Sequence, residues 1–155
     1  IRPVWSSVLG IYEHNVRLYK YARKGAWNDP DMLEVGNGDL TIDENKAHFS
    51  LWCMMASPLI LGNDVRNFIK ADGTVDTDSK IYSILTNKTM ISIDQDPLGV
   101  QCKRIRFGIV DVLIKPLVDN KVAVCVFNKA NKVSSATVCI EDIAHSSFVN
   151  LPEKE

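Results

Sequence analysis

The heptapeptide Trp27-Asn28-Asp29-Pro30-Asp31-Met32-Leu33 puts two carboxylates, an amide, an indole and a thioether within seven residues. Carboxylates accept hydrogen bonds from sugar hydroxyls, and flat apolar groups pack on the ring face, so this set suits a carbohydrate pocket. Leaving a buried hydroxyl partner unpaired costs about 1 to 3 kcal/mol. Asp31 can serve the hydroxyls and Met32 the apolar face. Trp27 can stack on sugar or support the loop from inside. The same chemistry fits an Asx-rich turn whose aspartates bond their own backbone, and Asp29, standing before a proline, is read as that kind of turn former.

Such a loop needs elements to hold it. Trp5, Val8, Leu9, Tyr12, Val16 and Tyr19 recur at three and four residues and predict a helix, stopped by Arg23-Lys24-Gly25. The heptapeptide then reads as a short buried strand with a loop at its C-terminal end. A second helix is expected from Thr41, with Glu44 completing a capping box, Ala47, Leu51, Met54 and Met55 on its buried face, and Ser57-Pro58 at its end. Pro58 to Gly62 has the continuous apolar pattern of a parallel strand covered on both faces. Asn63 and Asp64 lie just beyond it, and Asp64 is read as the cap of the next helix.

A helix around Ser79 to Leu85 and a strand over Met90 to Ile93 lead to a turn-rich boundary at Asp96-Pro97-Leu98-Gly99, which Asp94 and Asp96 are expected to organise. Beyond it the period changes to that of antiparallel strands. Ile109 to Leu117 and Lys121 to Phe127 flank a hairpin turn at Asp119-Asn120, and Thr137 to Ile140 suggests a third strand. The tail from Leu151 to Glu155 is charged and expected to fray.

Composition narrows the function. Hydrophobic residues make 46%, charged residues 24%, and the net charge is −1, which supports a core and gives no electrostatic case for nucleic acid or an anionic membrane. The longest apolar run, Leu51 to Leu61, falls short of the roughly 20 residues a bilayer requires. Cys53, Cys102, Cys125 and Cys139 lack zinc or dithiol spacing and read as buried thiols, with Cys125 and Cys139 able to pair if their strands are neighbours. His14, His48 and His145 have no ligand-spaced partners, so no metal is expected. Asn87-Lys88-Thr89 fits a glycosylation acceptor that matters only in a eukaryotic secretory pathway. The start Ile1-Arg2-Pro3 lacks an initiator methionine and a leader pattern. Compartment and oligomeric state stay open.

The heptapeptide is followed in order by Trp52, Ala56-Ser57-Pro58-Leu59, Gly62-Asn63-Asp64 and Ile93-Asp94-Gln95-Asp96-Pro97-Leu98-Gly99. Together, from about Trp5 to Asn128, these residues resemble glycoside hydrolase family 27, the alpha-galactosidase and alpha-N-acetylgalactosaminidase family. The resemblance implies an α/β fold: residues 1–95 as the last part of a (β/α)8 TIM barrel, and 96–155 as the start of an antiparallel all-β sandwich domain. It implies a retaining hydrolase of terminal alpha-linked galactose with two catalytic aspartates, both expected upstream of Ile1, the acid/base residue immediately so. Asp31, with Met32 under the ring, is then expected near the sugar and near the arginine preceding the acid/base residue, neither being the catalyst. The expected partner is an alpha-galactoside, without cofactor or metal, and the chain alone is expected to be inactive and poorly folded. The alternatives are an N-acetylgalactosamine substrate, or a noncatalytic carbohydrate-binding domain on the same scaffold.

Overall fold

The computed structural model describes residues 1–146 and 148. Helix α1 covers Trp5–Asn15 and continues into a 3-10 turn over Val16–Leu18. Its three-and-four spacing buries Val8 and Tyr12 completely. Helix α2, Ile42–Met54, opens with the expected capping box: Thr41 accepts from the Glu44 N–H, and Glu44 accepts from the Thr41 N–H. Leu51, Met54 and Met55 are buried as the pattern requires, with Ala47 partly so. Asp64 caps the following 3-10 turn, Val65–Phe68, by accepting from the Arg66 N–H. Ser79 caps α3, Lys80–Leu85.

Three expectations are corrected. Met90 to Ile93 is not a strand but part of helix α4, Lys88–Asp94, because Asn87 caps it through the Met90 N–H. Met90, Ile91 and Ile93 then pack on the core from one helical turn. Thr137 to Ile140 gives no strand either. Cys139 precedes helix α5, Ile140–Ala144, and the Asp142 carboxylate accepts from the Cys139 N–H, so the local bonds there favour a helical turn over a ladder. The strand expected over Pro58 to Gly62 reduces to one parallel bridge, Leu33 to Leu61, and it is not covered on both faces: Ile60 and Leu61 are exposed.

The C-terminal half is a three-stranded antiparallel sheet in the order β1-β2-β3, with β1 Lys103–Arg106, β2 Val110–Leu117 and β3 Lys121–Asn128. A bulge between Arg104 and Arg106 interrupts the β1 register. Asp119 and Asn120 both have positive φ in the hairpin turn, the conformation that makes these two residue types suitable there. On β3, Ala123 and Phe127 face the core while Val124 and Val126 are exposed, the period of two expected for a strand with one covered face. α1 supplies that cover: Phe127 meets Trp5 and Tyr12 edge to face, at centroid distances of 6.1 and 5.3 Å. Among the described residues this is one sheet, without a second layer facing it.

All four cysteines are free; Cys139, expected to be buried, is exposed because it stands before α5 and not in a strand, while burial of Cys53 and Cys102 pushes their thiols up, as burial does for Cys125, to about 11. Among the described residues no helix is long and apolar enough to cross a membrane. The tail Leu151 to Glu155 lies outside the described residues.

Candidate sugar-binding site

The heptapeptide forms no regular element before Leu33, so other parts of the chain must fix its backbone. Asp29 does what its place before proline suggests: its Oδ1 accepts the Asp31 N–H at 2.9 Å. This Asx turn leaves Asp31 at φ 77°, a left-handed conformation that aspartate tolerates better than most residues. The chain then enters the parallel contact. Leu33 donates to the Ile60 carbonyl at 2.7 Å, and the Gly62 N–H donates back to the Leu33 carbonyl at 2.8 Å. The approach is close enough that a Cβ on Gly62 would sit 2.7 Å from the Leu33 oxygen, so this position demands glycine.

Helix α2 holds the other side through a row of polar groups. Trp52 Nε1 donates to the Asp31 carbonyl at 2.9 Å, His48 Nε2 accepts the Glu34 N–H at 3.0 Å, and Asn45 Oδ1 accepts the Gly36 N–H at 2.6 Å. Positions 45, 48 and 52 share one helix face, so a single rigid element reads the backbone from Asp31 to Gly36. The His48 and Trp52 rings also meet edge to face at 4.2 Å. Burial lowers the His48 pKa to about 4, so the imidazole is neutral and able to accept. At the front of the loop, Asn28 Nδ2 donates to the Leu18 carbonyl and to Gln101 Oε1, while buried Gln101 donates to the Asn15 carbonyl.

With its backbone fixed, Asp31 directs a half-exposed carboxylate outward. The Ile1 amino group lies 2.5 Å from Oδ2 and the Met32 N–H donates to Oδ1 at 2.8 Å. The free amine at the start of the sequence and then the Met32 N–H hold the carboxyl below the usual carboxylate range, and of the two only the Met32 contact is independent of that free amine. An ionised, accessible acceptor is what a polyhydroxyl ligand requires. Met32, also partly exposed, lies beside Gly62.

Asp31 lines a cleft of about 480 Å³ with Asp29, Asn28, His14 and the α1 residues Gly10 and Ile11. Trp27 lines a different cleft, of about 510 Å³, with Ser57, Leu59, Asp94 and Gly99. The three residues singled out in the sequence therefore share one loop, but Trp27 and Asp31 open onto separate clefts. Among the described residues no three His, Cys, Asp or Glu side chains gather in a way that could hold a metal ion.

Sequence reasoning missed Asn45, His48, Asn28 and Gln101, whose side chains hold the loop. The spacing of Asn45, His48 and Trp52 along a predicted helix was the available signal: two polar residues on the face of an indole have to find partners when buried.

Comparison with known proteins identifies the family. The family model described as Alpha galactosidase A (Melibiase_2) matches residues 1–96. Alpha-galactosidase A of Cellvibrio japonicus is 49% identical over 130 residues, covering 82% of this chain and 30% of that protein. Human alpha-N-acetylgalactosaminidase is 38% identical over 133 residues, covering 82% and 30%. The crystal structure of alpha-galactosidase I from Mortierella vinacea superposes with a TM-score of 0.81 at 32% identity, over 96% of this chain and 35% of that one. The chain spans about a third of the length of the curated relatives it matches. With the family model matching residues 1–96 and a relative 49% identical over 82% of the chain, this chain belongs to the Alpha galactosidase A family.

Proposed function

We propose that this chain forms one wall of the sugar pocket of a retaining alpha-galactosidase, with Asp31 binding galactose hydroxyls and Met32 lying under the ring. The observation that carries this reading is the Asp31 carboxylate: accessible, and fixed at the end of a parallel contact by α2. In α/β barrels the chemistry gathers at the C-terminal ends of strands, and Asp31 stands at such an end if residues 1–95 are the last part of a barrel and 96–155 the start of the β domain. Trp27 offers a further apolar surface at the neighbouring cleft.

The catalytic pair in this reading comes from outside residues 1–155. In a retaining glycosidase one carboxylate attacks the anomeric carbon while the other protonates the leaving oxygen, the two standing about 5 to 5.5 Å apart.

The test is proton NMR of the sugar first released from an aryl alpha-galactoside by the full-length protein. Initial alpha-galactose is expected. Initial beta-galactose would contradict retention, and no turnover of any alpha-galactoside would contradict the hydrolase reading. Similarity to human alpha-N-acetylgalactosaminidase supports a second substrate, the N-acetylamino sugar, checked by turnover of the matching aryl glycoside.

A further inference from the structure

Lys115 is fully buried on β2, far in sequence from the heptapeptide and, among the described residues, without a salt-bridge partner. A buried ammonium is costly unless its protons are satisfied, so its acceptors reveal its role. Nζ donates to the Cys53 carbonyl at 3.1 Å and to the Asp94 carbonyl at 3.4 Å. Cys53 lies in the last turn of α2, and Asp94 is the last residue of α4. Helix C-termini present the negative end of the helix dipole, which a cation satisfies, and the Cys53 carbonyl, already accepting the Ala56 N–H at 3.2 Å, has a second lone pair for Nζ. The neighbouring α2 carbonyl, that of Met54, is taken by the Cys102 N–H at 2.9 Å, again from the β half.

The chain of contacts continues to the sugar site. Trp52 precedes Cys53 on α2, and its indole holds the Asp31 carbonyl at 2.9 Å. We infer that Lys115 is a positioning residue for Asp31: by tying down the C-terminal turn of α2 from the β half, it sets the place of Trp52 and through it the sugar-binding carboxylate. The inference rests on the proposed role of Asp31 and gives the β half a part in substrate binding that the heptapeptide alone does not reveal. The groups facing Nζ are the side chains of Asp94 and Asp96, with the thiols of Cys53 and Cys102. Burial holds the ammonium below the usual lysine range, opposed by Asp94.

The experiment compares Lys115→Met, which keeps the stem and removes the charge, with Lys115→Arg in the full-length protein. Two readouts are taken: the NMR resonance and exchange protection of the Trp52 indole N–H, and steady-state kinetics on an aryl alpha-galactoside. Lys115→Met is expected to reduce indole protection and to raise KM by about 10-fold with little change in kcat, and Lys115→Arg to restore part of both. In an Asp31→Asn background the Lys115→Met effect on KM should largely vanish, since residues acting through one contact are not additive. An unchanged indole resonance in folded Lys115→Met, or full additivity with Asp31→Asn, would overturn the inference. If Lys115→Met does not fold, Lys115→Gln, which also removes the charge, takes its place, and an unchanged indole resonance in it overturns the inference. The indole readout needs no turnover, so an inactive protein would contradict the function while leaving this positioning role open to measurement.

Discussion

The loop from Trp27 to Asn37 and the hairpin from Val110 to Asn128 satisfy their backbones in opposite ways. The hairpin is self-sufficient: eight cross-strand pairs, from Val110 with Asn128 to Leu117 with Lys121, leave its ladder in regular register. The loop has one parallel bridge and local turns at Asp29 and Glu34, and otherwise its backbone depends on side chains reaching in from α2, namely Asn45, His48 and Trp52. Regular pairing leaves no backbone freedom to aim a side chain. Irregular backbone does, and the cost is dependence on distant partners. That difference explains how Asp31 comes to stand at positive φ with its carboxylate outward.

A second contrast lies in how each half treats charge. Asp31 is exposed, whereas Asp111 on β2 is completely buried, with Tyr12 Oη at 2.8 Å, Arg104 at 3.0 Å and Lys129 at 3.1 Å. Burial opposes the Asp111 charge, but the Gly108 N–H, the Tyr12 hydroxyl and the two cations outweigh it and hold its carboxyl below the usual range. Glu13 on α1 joins the same two cations, so this cluster fastens α1 to the sheet. Asp111 is thus committed to packing, and Asp31 is available to a ligand.

If the loop depends on α2 while the hairpin supports itself, the same truncation should have unequal effects. Trp52→Ala removes a completely buried indole and the hydrogen bond to Asp31, and should cost about 3 to 5 kcal/mol in chemical denaturation. Val126→Ala, on the exposed face of β3, should cost about 0.5 kcal/mol. Equal losses would break the comparison.

Acid should also distinguish the two regions. His48 titrates at about 4 in the folded protein against an ordinary value of 6.5, so the stability it contributes is complete above pH 6.5 and is lost as pH falls toward 4. The shift corresponds to about 3 kcal/mol, and protonation would remove the acceptor for the Glu34 N–H. Asp94 works the other way: burial raises it to about 7 despite Lys115, so its contribution weakens as pH rises from 3.8 through 7. The difference between wild type and His48→Gln, followed by urea denaturation from pH 7 to 4, isolates the histidine. The variant should lose less stability on acidification, and parallel curves would show that His48 is not the sensitive group. Smaller still, Thr41→Ala deletes half of the capping box of α2 and should cost about 1 kcal/mol in thermal or chemical unfolding.

The helices were legible where local rules act alone: the Thr41–Glu44 box, the three-and-four spacing of α1, and the Asp64 cap are all decided within a few residues. The hairpin was legible for the same reason. Met90 to Ile93 was misread because a short apolar run fits either period, and the deciding residue, Asn87, stands outside it. The β1 strand went unnoticed because Lys103 to Arg106 is three-quarters basic and takes its form from pairing with β2. At the site, Asp31 and Met32 stood out by their chemistry. The partner that fixes the Asp31 backbone, Trp52, lies 21 residues away, and the one that holds Asn28, Gln101, lies 73 away, and single-sequence spacing carries no trace of a contact as distant as the second.

The account turns on Asp31 as a ligand-binding carboxylate rather than a turn former. The direct measurement is kcat/KM of the full-length protein on an aryl alpha-galactoside for wild type and Asp31→Asn, each with a melting curve. Replacing the carboxylate by an amide should lower kcat/KM by about 10- to 150-fold, the equivalent of about 1.5 to 3 kcal/mol for a lost charge-assisted hydrogen bond, with the melting temperature unchanged. Wild-type efficiency in a well-folded Asp31→Asn variant would contradict it and leave Asp31 with a purely structural part in the loop.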